Sequence, residues 1–337
     1  MNRPRFLPDN FTLALLATVT LASLLPASGR IAHAFELLTT VAIGLLFFLH
    51  GARLSREAIL AGVTHWRLHL LVFSCTFAMF PLLGWALKPV LSPLVTPELY
   101  TGVLFLCVLP ATVQSAIAFT AMARGNMPAA VCSASASTLL GVFVTPILVS
   151  LLVVPQSGGN AAGVLDAIVR ILLQLMVPFI AGHLLRPWIG GWIKQSAASL
   201  KFVDQGSILL VVYTAFSAAV IEGLWKQLPV NALGGLLVVC AVLLGLALTC
   251  STWLARRFGF DKEDEITIVF CGSKKSLASG IPMAKVLFAS SAVGAIVLPL
   301  MLFHQMQLMV CAVLAQRYAR RVAAATAPPA VADAAAD

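Results

Sequence analysis

The stretch CGSKKSLASGIP, residues 271–282, places two adjacent lysines, Lys274 and Lys275, in an otherwise apolar part of the chain. ITIVF precedes the stretch, and VLFASSAVGAIVLPLMLF follows it closely. Charges within a membrane span are costly and usually face the interior of a helix bundle or water. Glycine and proline next to these charges predict a spanning helix that is interrupted at this point.

The composition of the chain is that of a polytopic membrane protein. Of its 337 residues, 60% are hydrophobic and 10% are charged, whereas soluble domains carry about 25% charged residues. The net charge of +9 does not indicate a nucleic-acid partner, because Lys and Arg collect in the cytoplasmic loops of membrane proteins. The seven cysteines lie in apolar segments without ligand spacing, and catalytic signatures are absent, so we expect neither a metal site nor an enzyme.

Apolar runs of spanning length predict an all-α protein with ten transmembrane helices, because only helices satisfy the backbone of such segments in lipid. The runs are 9–28, 34–52, 66–89, 98–122, 127–154, 163–185, 205–222, 230–255, 264–288 and 291–316. The longest polar connection, 186–204, is expected to lie along the membrane surface.

Basic residues are distributed unequally between the segments on the two sides of the membrane, as the ten predicted helices assign them. If the N-terminus lies inside, the outer segments carry only Arg30, Lys88, Lys226 and Lys285, and most other Lys and Arg lie in inner segments. This bias predicts a multi-pass protein of the cell (inner) membrane with both termini in the cytoplasm.

The ten runs divide into two five-helix halves of inverted topology, 1–154 and 155–321, followed by an Ala/Pro-rich tail, 322–337, that we expect to be disordered. The fourth run of each half is interrupted, by LPATVQSA at 109–116 and by CGSKKSLASGIP at 271–282. A matched pair of interrupted helices indicates a binding site near the middle of the membrane.

Polar side chains at the two interruptions, and on the helix after the first one, are the candidate binding residues. The lysines lie about nine residues, or roughly 14 Å, beyond the charged edge at 261–265, which argues against snorkelling to the surface. A plain proline kink in the fourth run and close helix packing by the serines remain alternatives. The candidates are Thr112, Gln114 and Ser115; Ser133, Ser137 and Thr138; and Gly272, Ser273, Lys274, Lys275 and Ser276. Polar residues in the tenth run, among them Gln307, are expected to have packed, hydrogen-bonded roles.

With these motifs the chain resembles the bile acid:sodium symporter family (solute carrier family 10 and its bacterial relatives) over essentially all ten runs. The marks are the break followed by ARGN within 109–126, the VTP at 144–146 and the interrupted ninth run. FCGSKKSLASGIPMA, 270–284, is similar to the divergent branch that includes the seventh human member. The resemblance implies a core domain, a panel domain of helices 1, 2, 6 and 7, and unwound helices 4 and 9 that cross. It also implies a solute between the domains and two sodium ions behind the crossing.

The family's sodium ligands carry over only in part. Its fourth-helix break falls near Gln114 and Ser115, and a third-helix glutamine falls at Thr76, which joins the candidates. Two fifth-helix hydroxyl positions fall at Ala130 and Ala134, so those ligands are lost.

The ninth run departs furthest from the family. The glutamate that bridges both sodium ions in the family falls at Phe270, and a following glutamine falls at Lys274. An ammonium group can take the electrostatic place of a bound monovalent cation. We therefore hypothesise that Lys274 or Lys275 substitutes for one sodium ion, which leaves Na⁺, H⁺ through lysine deprotonation, or no ion as the coupling partner.

These observations favour a secondary transporter of a small organic solute, anionic because of the built-in positive charge, that works by alternating access. An alternative is a membrane regulator of ion (calcium) homeostasis that transports nothing, a role associated with the branch that the chain resembles. An intramembrane enzyme is a third class, for which no catalytic constellation is present. The identity of the solute and the oligomeric state are left open.

Overall fold

The computed structural model describes residues 10–53, 65–153, 161–227 and 229–326, and this part of the chain is all-helical, as predicted. Short helical turns also occur at Lys88–Leu91, Ser92–Leu94 and Leu224–Gln227. The longer helices are α1 (Asn10–Leu24), α2 (Gly29–Arg53), α3 (Trp66–Ala86), α4 (Pro97–Val108), α5 (Val113–Met122), α6 (Met127–Leu152), α7 (Ala161–Gln195), α8 (Ala197–Ile221), α9 (Val230–Arg257), α10 (Lys262–Gly272), α11 (Leu277–Leu287) and α12 (Ser290–Thr326).

Six of the described helices are long and apolar enough to cross a membrane, and a seventh span results if the bent pair α4 and α5 is counted as one. The chain is therefore a multi-pass membrane protein. The predicted number of ten is not established by this criterion. One reason is that α1 has 15 residues and α10 and α11 have 11 each, whereas a single helix needs about 20 residues to cross the hydrocarbon core.

The predicted polar connection at 186–204 is helical rather than a loop. Helix α7 continues through Pro187 to Gln195, and α8 begins at Ala197, so the helices extend into the polar segment. The predicted boundary between the halves falls in 154–160, outside the described residues. Helix α12 runs five residues into the predicted tail, to Thr326, and the rest of the tail also lies outside the described residues.

Proline and a polar cap set the two predicted interruptions. Leu109 is extended, with φ −74° and ψ 154°, because the proline that follows it disfavours the helical region for the preceding residue. Helix α10 ends at Gly272, and α11 starts after Ser276, whose hydroxyl accepts the N–H of Ser279 at 3.1 Å. Helices α4 and α5 are bent by 63° relative to each other at their break.

Glycines bring α2 and α7 into close contact. A Cβ atom at Gly51 would overlap the carbonyl oxygen of Phe179, and one at Gly182 would overlap the carbonyl oxygen of Phe48. Helices α1 and α8 pack beside this pair, while α12 packs on α4, α10 on α9 and α6 on α5 around the interruptions.

Substituting Gly51 by alanine is expected to destabilise the protein by about 1–3 kcal/mol, because the new methyl group must push α7 away. Gly44→Ala on the same helix is the matched control, since a Cβ atom there meets nothing within 4 Å. The control should be neutral or slightly stabilising, because alanine favours a helix over glycine. Melting temperatures of the two detergent-solubilised variants check this prediction, and equal melting temperatures would contradict it.

Candidate binding site at the helix breaks

The two helix breaks lie against each other in the structure. The backbone N–H of Ser276, at the start of α11, donates to the carbonyl oxygen of Pro110, between α4 and α5, at 2.9 Å. Helix α6 supports the first break from behind, since the Ser137 hydroxyl accepts the N–H of Ala111 at 3.0 Å and Thr145 donates to the carbonyl of Val108 at 2.8 Å. Backbone groups that the breaks release from helical hydrogen bonding are thus satisfied within the protein.

Lys275 is fully buried, and its ammonium group lies among carbonyl oxygens. Nζ donates to the carbonyls of Thr76, Cys107 and Leu109, each at 2.8 Å. Cys107 and Leu109 end α4, where helical carbonyls lose their partners, and Thr76 lies in a π-helical turn of α3, Cys75–Met79. The ammonium group has three donors, so this contact set accounts for all of them.

The backbone of Lys275 is held as firmly as its side chain. Gln307 of α12 accepts the Lys275 N–H through Oε1 at 2.9 Å and donates to the Lys275 carbonyl through Nε2 at 3.0 Å. Gln307 is itself fully buried and contacts His304 Nδ1 at 2.8 Å. The expected packed, hydrogen-bonded role of Gln307 is therefore a specific one, because it replaces the helical partners that the break removes from Lys275.

Lys274 is also fully buried, but its surroundings differ from those of Lys275. Its Nζ donates to the carbonyl of Ser115, in the first turn of α5, at 3.0 Å. The same atom lies 3.7 Å from the ring centroid of Phe119 and 5.7 Å from that of Phe270, distances within the range of cation–π attraction. Phe270 occupies the position that the sequence comparison assigned to the family's glutamate. An aromatic face is therefore near the cation where the family has a carboxylate.

Neither lysine forms an ion pair with a carboxylate in the part of the chain that the structure describes. The ion pairs of that part join Arg53 with Asp204, Glu265 with Arg256 and with Lys262, and Lys285 with Glu36. The charge of both ammonium groups is compensated by carbonyl dipoles and aromatic rings. When it is protonated, an ammonium group that forms no ion pair supplies a positive charge behind the breaks.

The other predicted residues have mostly local roles. Thr76, Thr138 and Ser273 donate through their hydroxyls to the carbonyl four residues earlier in their own helices. Ser115 donates weakly to Thr112 at 3.5 Å. These bonds satisfy the hydroxyls without a ligand, as the alternative interpretation of packing residues expects.

Ser133 contacts a residue that the sequence analysis did not single out. Its hydroxyl lies 2.7 Å from Nδ1 of His69 on α3, and both residues are buried. The other ring nitrogen of His69, Nε2, is buried without a hydrogen-bond partner in the described residues. The pattern of the third run gave no signal for this pair, because a lone histidine in an apolar helix has no characteristic spacing.

A cavity of about 270 Å³ opens on the front of the two breaks. The predicted residues Thr112, Gln114, Thr138 and Ser276 contribute to its lining. Lys274 and Lys275 do not line it, so the structure separates the predicted site into a cavity and a cation pair behind it. The cavity is also lined by polar residues of α2 and α8 and by apolar side chains, including His50, Arg53, Lys201, Asp204, Leu46, Phe179 and Ile208.

The charged residues of this lining were missed as site residues. Arg53 and Lys201 were assigned to inner connections from their charge alone, and Asp204 closed the predicted surface segment. Helices α2 and α8 extend further than predicted and carry these side chains to the cavity. The i,i+3 spacing of Lys201 and Asp204 on one helix face is the signal that could have identified them.

The profile of the SBF-like CPA transporter family matches residues 9–320. The chain belongs to this family. The resemblance inferred from the sequence is thereby confirmed, and the family is one of transporters rather than enzymes.

Relatives of this family resemble the chain over most of its length. The "Uncharacterized protein PA2026" of Pseudomonas aeruginosa is 73% identical over 321 residues, which are 95% of the chain and 96% of that relative. The "Putative symporter YfeH" of Escherichia coli is 57% identical over 318 residues, 93% of each. The "Sodium/bile acid cotransporter 7" of Rattus norvegicus is 27% identical over 277 residues, 81% of each. The names of these relatives and of the family point to a small-molecule solute and a membrane environment.

Proposed function

We propose that the protein is a secondary transporter that moves a compact organic anion across the inner membrane by alternating access, with built-in ammonium groups in place of coupling sodium ions. The observation that carries the proposal is the cavity at the start of α5 and α11, backed by two buried lysines that no carboxylate pairs with in the described residues.

The lining of the cavity supports an anionic solute. Thr112, Val113 and Gln114 begin α5, and Ser276, Ala278 and Ser279 begin α11, and all six line the cavity. The N-terminus of a helix carries partial positive charge and N–H groups without helical partners, which favour an anion. Thr112 caps α5 without a side-chain hydrogen bond, so the first N–H groups of α5 are not taken up by their cap.

The size of the cavity supports a compact solute. Sites for drug-sized ligands measure about 300–1,000 Å³, and this cavity of about 270 Å³ lies below that range. Apolar residues form a large part of the wall, including Leu46, Phe179 and Ile208. We therefore expect a small anion with an apolar body.

The contacts of Lys275 support the replacement of a sodium ion. Carbonyl oxygens at the end of a broken helix are suitable ligands for a hard monovalent cation, and Nζ already holds three of them. A sodium ion at the same place would meet the ammonium charge, so the residues present do not fit a sodium site there. We therefore expect transport to be driven by protons or by the solute gradient alone.

The proposal retains ten spans in two inverted halves, with core and panel domains and the two interrupted helices crossing. The hydrogen bond between Ser276 and Pro110 supports the crossing. The close contact of α2 with α7 and that of α1 with α8 are contacts that a panel of these helices requires. The charge bias of the sequence supports cytoplasmic termini.

Uptake and counterflow in proteoliposomes test the proposed function. Proteoliposomes that contain the purified full-length protein are loaded with a pool of organic anions. Efflux-driven exchange of these anions is then measured with sodium replaced by choline. Saturable exchange without sodium supports the proposal, and a strict sodium requirement would contradict the role given to the lysines. Saturable binding without any exchange would instead favour a regulator that transports nothing.

Alternating access requires that the solute pathway be closed on the side away from the cavity. An ion pair far from Arg53 can supply this closure. Glu36 on α2 pairs with Lys285 on α11 at 3.4 Å, about 25 Å along α2 from Arg53 at 1.5 Å per residue. Nearby, Gly294 of α12 lies so close to α8 that a Cβ atom would be 2.6 Å from the Cβ of Ala219. A partly exposed ion pair stabilises by about 0–1 kcal/mol, so it can open and close at little cost.

Lys285→Ala is therefore expected to open the outer side of the cavity more often. A Gln114→Cys variant reports this, because Gln114 lines the cavity and is exposed. A membrane-impermeant maleimide added outside intact cells should label Gln114→Cys several times faster when Lys285→Ala is also present. Lys226→Ala, at another lysine of the outer segments, is the control. Equal labelling rates with and without Lys285→Ala would contradict the outer gate.

A further inference from the structure

The side chain of Gln307 binds the backbone of Lys275 in an orientation that its contacts fix. Its Oε1 accepts the Lys275 N–H at 2.9 Å, and its Nε2 donates to the Lys275 carbonyl at 3.0 Å. An amide oxygen only accepts hydrogen bonds, and an amide nitrogen only donates them. Exchanging the two amide atoms would oppose two donors at one contact and two acceptors at the other. The direction of the Gln307 amide is therefore set by the backbone of Lys275.

This orientation determines where His304 can carry a proton. Gln307 Nε2 has two hydrogens, of which one goes to the Lys275 carbonyl and the other to His304 Nδ1, 2.8 Å away. Nδ1 is thus an acceptor without a proton, and the neutral ring carries its proton on Nε2. A second proton, on Nδ1, would place two donors against each other. A proton on Nδ1 and the Gln307 clamp, which we define as the bonds of Gln307 to Lys275 and His304, therefore exclude each other.

The Gln307 clamp is linked to the candidate cavity through the second helix break. Gln307 holds Lys275, and the next residue, Ser276, caps α11 and lines the cavity. If Gln307 turns away, the buried N–H and carbonyl of Lys275 lose the partners that replace their helical ones, which is unfavourable. The start of α11 must then rearrange to satisfy these groups. His304 is half-buried, whereas Gln307 is fully buried, so the ring is the accessible end of the clamp.

Ionisable groups around His304 lie on the helices that pack against α12, which are α4, α5, α8, α9 and α11. Helix α5 contributes none, and the others are Glu98, Tyr100 and Cys107 on α4; Lys201, Asp204 and Tyr213 on α8; Cys240, Cys250, Arg256 and Arg257 on α9; Lys285 on α11; and Cys311, Arg317, Tyr318 and Arg320 on α12 itself. Asp204, Arg256 and Lys285 form ion pairs with residues other than His304. The break adds Lys274 and Lys275, and Gln307 joins Lys275 to His304. The charge joined most directly to the ring is therefore an ammonium group.

We propose that His304 is the proton-binding residue that couples transport to a proton gradient. A ring without a proton on Nδ1 stabilises the Gln307 clamp, and a ring that takes a proton on Nδ1 releases Gln307 from Lys275. In each transport cycle a proton from one aqueous side binds Nδ1 as the clamp opens, and it leaves to the other side as the clamp forms again. This inference rests on the proposed function, since it names the ion and the residue that drive the solute through the same cavity.

Hydrogen–deuterium exchange of the purified full-length protein in detergent tests the clamp without any solute. An amide exchanges only when its hydrogen bond opens, so the segment 271–282 reports whether Gln307 holds Lys275. An ordinary histidine titrates near about pH 6.5. Between about pH 8 and about pH 5, protection of this segment should fall at least about fivefold, after correction for the intrinsic effect of pH on exchange.

His304→Gln separates the proton from the hydrogen bond. Glutamine at this position can still accept from Gln307 Nε2 through its amide oxygen, but it takes up no proton in this range. Protection of 271–282 should therefore change less than about twofold with pH in this variant. His33→Gln, at an exposed histidine of α2, is the matched control and should behave as the wild-type protein does. The wild-type comparison needs no variant, so a misfolded His304→Gln protein does not remove the test.

Uptake in proteoliposomes tests the coupling. With the same pool of organic anions and choline in place of sodium, uptake is measured with an imposed pH gradient and without one. The gradient should raise uptake at least about fivefold for the wild-type protein and for His33→Gln, and less than about twofold for His304→Gln, because only a bound proton transmits the gradient.

The outcomes separate this inference from the proposed function. Protection of 271–282 that does not depend on pH in the wild-type protein overturns the role of His304 and leaves the anion transporter standing. A dependence on pH that persists in His304→Gln also overturns it. Anion exchange that ignores the pH gradient in the wild-type protein overturns the coupling. If no anion exchanges at all, the proposed function fails, and the coupling role of His304 fails with it.

Discussion

Lys275→Met is expected to lower the free energy of unfolding by about 3 kcal/mol or more, because each buried carbonyl left without its donor costs about 1–3 kcal/mol. The substitution leaves the carbonyls of Thr76, Cys107 and Leu109 buried without a donor. Two of these carbonyls end α4 at membrane depth, where no water replaces the lost bonds. Methionine fills much of the same space, so the loss is one of hydrogen bonding and charge rather than of packing.

Thermal melting of the purified variant, followed by intrinsic fluorescence, measures this effect. Lys226→Met is the matched control, because Lys226 is exposed and surface substitutions usually change stability by less than about 0.5 kcal/mol. A melting temperature of Lys275→Met equal to that of the control would show that the ammonium group does not hold the break together.

Lys274→Gln is expected to affect transport more than stability. The variant loses one hydrogen bond to the Ser115 carbonyl and the attraction to Phe119, together about 1–3 kcal/mol. Ser115 lies in the first turn of α5, next to the cavity residues Thr112 and Gln114. Without the hydrogen bond from Lys274 to the Ser115 carbonyl, the start of α5 can shift. Small shifts of binding groups reduce rates by up to about 100-fold. We therefore expect exchange in proteoliposomes to fall at least about tenfold.

The comparison of the two lysine variants makes this prediction specific. Lys274→Gln should express and melt closer to the wild-type protein than Lys275→Met does, yet exchange slowly. If Lys274→Gln exchanges at the wild-type rate, the prediction is contradicted and Lys274 has only a packing role. Lys274→Arg keeps the charge with a different shape, and partial recovery of exchange is expected for it.

Helix type and the two interruptions could be predicted from the sequence, because they depend on local patterns. Long apolar runs dictate helices in lipid, and Pro110 and Gly272 mark where α4 and α10 end. The segment 186–204 was interpreted as a connection between helices because its polarity was taken as the end of a helix. A helix can continue past the membrane, and Pro187 did not stop it.

The candidate site could be predicted only as a set of residue types near two breaks. The pattern identified Lys274 and Lys275 but gave them one role, whereas their partners differ. Lys275 has three carbonyls and the ring of Phe80, and Lys274 has one carbonyl and the rings of Phe119 and Phe270. The partner carbonyls come from α3, α4 and α5, up to 199 residues away in the chain. Contacts over such separations are fixed by helix packing, which periodicity does not encode. For the same reason Arg53 and Asp204 were not connected to the cavity.

A built-in ammonium group, in the function proposed above, takes the place of a coupling sodium ion. A ligand that binds only the folded protein raises its melting temperature in proportion to RT ln(1 + [L]/Kd). The direct measurement is therefore the melting temperature of the wild-type protein and of Lys275→Ala as NaCl replaces choline chloride at constant ionic strength. We predict no change for the wild-type protein and a saturable sodium-dependent rise for Lys275→Ala, whose three carbonyls are then free to coordinate the ion. A saturable rise in the wild-type protein would contradict the account.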